Sequence, residues 1–260
     1  MKNFFLLFFM VFLLAGCWDD PEQELFKSAE SEWKQKRYHN SVEKYKSLVD
    51  QFAGGKYESD ALLRLGEIYR LNLDQPKEAL VYFYRLAKGG ADKYKATAQE
   101  NVANIYKNEL RDYDQAIIEY QKYIHMVTDQ KEIEESQYSI ATCYFKKGDY
   151  IQAITEFEIL LKDYPQSEFK EDASFQRLNC YFILGSCDKA MEGYGKYLQE
   201  FPKSKFSFEA KYSIANCMEE KEDLVGALEI YKSIKGDHPN NRLVELKIEG
   251  IEDRLAKRRR

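Results

Sequence analysis

The sequence predicts an all-α solenoid of about six stacked helix-turn-helix repeats, closed by a C-terminal helix. Three observations carry that prediction. Prolines, alanines and aromatics each recur at a fixed step of 37 residues: Pro165, Pro202 and Pro239; Ala153, Ala190 and Ala227; Phe157, Tyr194 and Tyr231. Within each period the apolar residues fall at helical spacing. The composition, 32% charged and 15% aromatic with only five prolines, suits a helical protein. A fixed period of this size marks units that bury their apolar faces only against neighbours.

The pattern extends toward the N-terminus through Ala116 with Tyr120, Ala79 with Phe83, and, after a shift of one residue, Ser41 with Tyr45. That places six units in residues 22–240. In the fourth, Ile140, Ala141 and Tyr144 form one stripe, and Ala153, Phe157 and Leu160 form another. Between them lies a polar turn, Lys146 to Asp149. Asp149 suits the N-cap of the second helix, as do Asp112 and Asp223 in their units. Pro76 suits the first turn of a helix. The recurring alanine lets two antiparallel helices cross closely. The terminal proline stops the second helix, and Ser167 or Ser204 opens the next turn. Residues 241–260 form a closing helix, with Val244, Ile248, Ile251 and Leu255 on one face, and a basic tail, Lys257 to Arg260. That tail complements the negative pole of a helix end or meets an anionic lipid or acidic partner.

The N-terminus has a different character. After Lys2, Phe4 to Ala15 is an unbroken apolar run, long enough for a signal-peptide core and too short to span a bilayer. Leu14-Ala15-Gly16-Cys17 resembles the bacterial lipobox. The resemblance implies a signal peptide over residues 1–16 and a lipidated N-terminus with a short tether over residues 17–21. It also implies acyl chains on the Cys17 sulfur and the new α-amine. Two or more chains hold a protein stably on a membrane, at roughly 0.8 kcal/mol per buried CH₂. In such lipoproteins aspartate after the cysteine signals inner-membrane retention. Trp18 stands there instead, which implies the outer membrane, facing the periplasm.

The repeats look like the tetratricopeptide repeat (TPR). Its first-helix small residue matches Gly66, Ala103, Ala141 and Ala215, and its aromatic matches Tyr69, Tyr106, Tyr144 and Tyr181. Its second-helix alanine matches Ala79, Ala116, Ala153, Ala190 and Ala227. The period is 37 instead of 34, Leu178 replaces a small residue, and Met218 replaces an aromatic. Lipobox and repeats together resemble bacterial TPR lipoproteins of the BamD-like and Tol-Pal-coordinator-like kinds. That resemblance implies a superhelical scaffold binding envelope proteins or peptide segments in outer-membrane protein assembly. Pilotin-like lipoproteins and Tol-Pal-type coordinators, serving secretion, pilus or cell-wall machinery, are the alternative.

Catalytic chemistry is nearly absent from the sequence, and no enzyme is expected. His39, His125 and His238 lack paired metal spacing, so neither metal nor cofactor is expected. A net charge of −5 argues against nucleic acid. An enzyme or small-ligand binder would need titratable residues clustered against the repeat, and there are none. Cys143, Cys180 and Cys217 share one repeat position. Stacked equivalent helices lie ~8–10 Å apart, beyond the ~6.8 Å Cα limit for a disulfide, so these three read as buried packers. Cys187 lies in a turn as the candidate reactive thiol, and a Cys180–Cys187 bridge would bend a helix end.

In TPR solenoids the first helices line the inner groove. Asn104, Thr142, Asn179 and Asn216 form one ladder there, and Tyr138, Phe175 and Tyr212 another. Amides hydrogen-bond an extended peptide in both directions, and aromatics add apolar area at low entropic cost. The competing reading has the aromatics packed against the neighbouring unit.

Overall fold

The computed structural model describes residues 20–258. Cys17 with the segment before it, and Arg259 and Arg260, lie outside the described residues. Thirteen α-helices and no strand occur among the described residues. The chain divides into two compact units between Lys95 and Ala96.

The first unit holds two helical hairpins, α1 (Pro21–Lys34) with α2 (Tyr38–Gln51) and α3 (Glu58–Glu67) with α4 (Pro76–Gly89). Asp20 caps α1 by accepting from the Glu22 amide at 3.1 Å, and Pro21 sits in its first turn. The Glu22 carboxylate is buried and accepts from the amides of Lys56 (3.1 Å) and Tyr57 (2.6 Å), tying the start of α1 to the next junction. Gly66 lies against Phe83 so closely that a Cβ there would stand 2.6 Å from the ring. That is why a residue without a side chain occupies this crossing.

Apart from the first turn of α5, which precedes Ala96, the second unit holds four hairpins and the closing helix. They are α5 (Asp92–Asn104) with α6 (Tyr113–Ile124), α7 (Gln130–Lys147) with α8 (Tyr150–Asp163), α9 (Lys170–Ile183) with α10 (Cys187–Glu200), and α11 (Ser207–Glu220) with α12 (Leu224–Ile234). Helix α13 (Asn241–Arg258) then lays Val244, Ile248 and Ile251 on the core of the last hairpin. Asp112, Asp149 and Asp223 accept from the amides of Gln115, Gln152 and Gly226, so all three act as the caps their positions suggest.

Each hairpin turns through one left-handed residue before its second helix: Lys36, Asp74, Arg111, Gly148, Gly185 and Glu222. Only two are glycine, so the hairpin geometry holds the other four against the steric preference of L-residues. The second and third hairpins carry one more residue than later ones between the first-helix aromatic and the second-helix alanine. Each absorbs it as a π-helical turn, Ile68–Asn72 and Ile105–Leu110. In the fifth hairpin the packing inverts: Leu178 is large, and Gly193 on α10 makes room for it, because a Cβ at Gly193 would lie 2.1 Å from Leu178 Cδ2.

The junctions explain the proline and serine signals. After Pro165 and Pro202 the chain turns, and the Ser167 and Ser204 hydroxyls accept from the amides of Phe169 (3.2 Å) and Phe206 (3.0 Å). Ser204 also donates to Glu171 (2.7 Å) and shares a hydrogen bond with the Tyr197 hydroxyl (2.6 Å).

Candidate interaction surface

All seven groove residues named from the sequence fall in the second unit, on first helices or their last turns. The amide ladder is partly engaged internally. Asn104 Oδ1 accepts from the Tyr120 hydroxyl at 2.6 Å. Thr142 donates back to the Tyr138 carbonyl at 2.8 Å, and Asn216 Nδ2 donates to the Tyr212 carbonyl at 3.1 Å. Those bonds leave Asn104 its amide donors and Asn216 its carbonyl acceptor for a ligand. Asn179 makes no side-chain hydrogen bond among the described residues and is half-buried.

The aromatic ladder belongs to the packing instead. Tyr138 stacks on Phe169 (4.9 Å between ring centres) and tilts against Phe157. Phe175 stacks on Phe206 at 4.2 Å and is only 7% exposed. Tyr212 meets Tyr231 edge-on and His238 at 5.2 Å. Each ring packs on a residue of the junction that follows its own hairpin; Phe175 is buried there, while Tyr138 and Tyr212 stay half-buried. The signal was present in the sequence: Phe169 and Phe206 both stand two residues after the junction serine.

Two recesses adjoin the amide ladder. One, of about 160 Å³, is lined by Tyr138, Thr142, Phe145, Lys146, Phe157 and Gln176. The Gln176 carbonyl oxygen is buried without a hydrogen-bond partner. The other gathers Asn216 with Glu219, Glu220, Glu222, Lys247 and Arg254. There Glu219 accepts from Lys247 and Arg254, both at 2.9 Å, so α13 is held to α11 by charge as well as by its apolar stripe. Lys107, one turn beyond Asn104, donates to Ser139 at 2.9 Å, and burial pulls its pKa below the usual lysine value.

The cysteines depart from expectation. Cys187 and Cys217 form a disulfide, with Cα atoms 5.2 Å apart. Cys217 is therefore not a free packer, Cys187 is not a free reactive thiol, and Cys180 does not pair with Cys187. The distance argument holds among Cys143, Cys180 and Cys217 themselves. The bridge forms because the first residue of α10 abuts the last turn of α11. Tyr113 and Tyr150 occupy the place of Cys187 in earlier hairpins, so a second cysteine there is what the pattern should have flagged. Cys143 and Cys180 are buried free thiols, pushed up by burial to about 11 and about 12.

Among the described residues no cluster of histidine, cysteine and carboxylates suits a metal ion, and no helix is long and apolar enough to cross a membrane. What the unit presents at this repeat position is three side-chain amides and the Thr142 hydroxyl, with recesses beside Thr142 and Asn216.

Comparison with known proteins agrees with this architecture. Residues 133–231 match the family model YfiO, described as outer membrane lipoprotein, and residues 60–88 match the tetratricopeptide repeat model. No curated protein matches the chain. Among solved structures it is similar to a tetratricopeptide repeat protein from Parabacteroides merdae ATCC 43184, at 15% identity and a TM-score of 0.53, covering 89% of this chain and 98% of that one. It is also similar to YrrB, a TPR protein with an unusual peptide-binding site, at 17% identity, a TM-score of 0.54 and coverages of 79% and 97%. A third is PilW, a type IV pilus biogenesis factor, at 13% identity, a TM-score of 0.54 and coverages of 87% and 99%. The fold is an all-α TPR solenoid.

Proposed function

We propose that the chain is a lipid-anchored envelope protein, held to the outer membrane through Cys17 and facing the periplasm. There it serves as a non-enzymatic scaffold in outer-membrane protein assembly. The observation that carries this reading is a coincidence of two independent parts. The lipobox Leu14-Ala15-Gly16-Cys17 heads the same chain whose residues 133–231 match an outer membrane lipoprotein model. The Cys187–Cys217 bridge supports an exported location, because disulfides persist in oxidising compartments. The row Asn104, Thr142, Asn179 and Asn216 supports binding of an extended segment from an envelope protein. YrrB, a TPR protein with a peptide-binding site, lends the same fold to that role.

The test has two arms. Labelled palmitate should enter the wild-type product, sediment with outer-membrane fractions, and be absent from Cys17→Ser. Equal labelling of both forms would remove the anchor. Crosslinking in envelopes should then capture partners that Asn179→Ala with Asn216→Ala loses while its circular-dichroism spectrum stays unchanged. An unaltered partner set would move binding away from the amide row.

A further inference from the structure

The turns between the two helices of each hairpin share one rim of the second unit, and repeat equivalence fixes what lines it. The residue just before the left-handed turn residue is Leu110, Lys147, Leu184 and Lys221 in successive hairpins. The second residue of the following helix is Asp114, Ile151, Asp188 and Val225. Lys147 is ion-paired to Asp114 across one junction, and Lys221 to Asp188 two junctions later. Those pairs show that the two positions are neighbours from one hairpin to the next. At the junction between them the same two places hold Ile151 and Leu184. These are 71% and 43% exposed, with Ile183 beside them at 44%. An ion pair has been replaced by an uncovered apolar pair.

Read along the rim, the order is Leu110, Asp114, Lys147, Ile151, Leu184, Asp188, Lys221, Val225: apolar, minus, plus, apolar, apolar, minus, plus, apolar. This row is its own complement when reversed. About a twofold axis between Ile151 and Leu184, a second copy sets Ile151 against Leu184, Lys147 against Asp188, Asp114 against Lys221, and Leu110 against Val225. Every charge meets its opposite and every apolar residue an apolar one, as an isologous interface requires. A parallel alignment in the same register would set like charges together.

We propose that this rim is a self-association surface through which two copies of the chain pair antiparallel about that axis. Although paired within the chain, the charges stay open to a second copy: Asp114 and Asp188 have side chains 71% and 83% exposed, and Lys147 and Lys221 are 41% and 46% exposed. The Cys187–Cys217 bridge pins the turn carrying Leu184 and Asp188 to α11, so half of the row is rigid before it meets a partner. A single row buries far less than the ~800 Å² per partner of a stable complex, so the pairing is reversible and concentration-dependent. It rests on neither the anchor nor the amide row.

Sedimentation velocity of the full chain in mild detergent tests it over a concentration series. The wild type should shift toward twice the monomer mass. Ile151→Lys with Leu184→Lys, which sets like charges against each other across the axis, should stay monomeric with an unchanged far-ultraviolet spectrum. Asp188→Lys and Lys147→Asp should each weaken pairing by about tenfold. Mixed one to one, they should pair more strongly than either alone, because the altered residues face each other across the axis. A wild type that stays monomeric throughout overturns the proposal. So does a dimer indifferent to the Ile151/Leu184 change, or a mixture no stronger than its components.

Discussion

Gly193→Ala is a substitution whose sign depends on a single neighbour. In an exposed helix interior, alanine for glycine stabilises by about 1 kcal/mol. Here the new methyl would stand 2.1 Å from Leu178 Cδ2, with the Leu178 Cγ and Cδ1 atoms at 3.4 and 3.6 Å. Leu178 is only 3% exposed and packs in the cluster with Ala190 and Tyr194, so it has little room to swing away. Overpacking of this kind costs about 1–3 kcal/mol, which outweighs the propensity gain. The net expectation is a loss of about 1 kcal/mol. Leu178→Ala alone should cost about 2–5 kcal/mol, because it leaves a cavity in that cluster. In the Leu178→Ala background the Gly193→Ala methyl enters space already vacated, so the same substitution should stabilise, by about 1 kcal/mol or more. Urea unfolding followed by circular dichroism of the four proteins measures the cycle. The reversal of sign is the decisive result. If Gly193→Ala stabilises the wild-type background, then α9 and α10 are not in the contact described, and the inverted packing of the fifth hairpin is wrong.

Other expectations follow from local geometry. Gly148 has a positive φ and nothing near its missing Cβ, so Gly148→Ala should cost about 1 kcal/mol through the backbone alone, whereas Arg111→Gly at the equivalent exposed turn should be neutral or stabilising, both read from unfolding midpoints. Cys143 and Cys180, pushed up to about 11 and about 12 by burial, should resist maleimide at pH 8 in the folded chain; after reduction of the bridge Cys187 should be labelled before the fully buried Cys217, and peptide mass spectrometry distinguishes the sites. The Arg37 guanidinium, then the Lys44 ammonium, hold the Glu32 carboxyl at about 2, below its ordinary 4.5. A lowered carboxyl stabilises the fold above the unfolded value and loses that contribution as pH falls toward the folded one. Melting temperature should therefore drop between pH 4.5 and 2 in wild type and less steeply in Glu32→Gln.

The sequence alone determined the helices, their pairing into hairpins and their closing helix, because these follow from local physics. Asp112, Asp149 and Asp223 cap helices wherever such residues precede an apolar stripe, and a step of 37 residues repeats whatever stacking that stripe dictates. It also isolated the row Asn104, Thr142, Asn179 and Asn216, since equivalent positions on stacked helices must align. Which faces remain open was decided by tertiary structure. Tyr138, Phe175 and Tyr212 look like a ligand ladder in one dimension. In three dimensions a junction residue from further along the chain, Phe169, Phe206 or His238, folds back onto each ring, burying Phe175 and leaving Tyr138 and Tyr212 half-buried. The disulfide was hidden for the same reason: Cys187 and Cys217 are 30 residues apart, off the period, and meet only because neighbouring hairpins lie side by side. Periodicity reports which residues are equivalent. Contact between residues that are not equivalent is set by how one hairpin rests on the next.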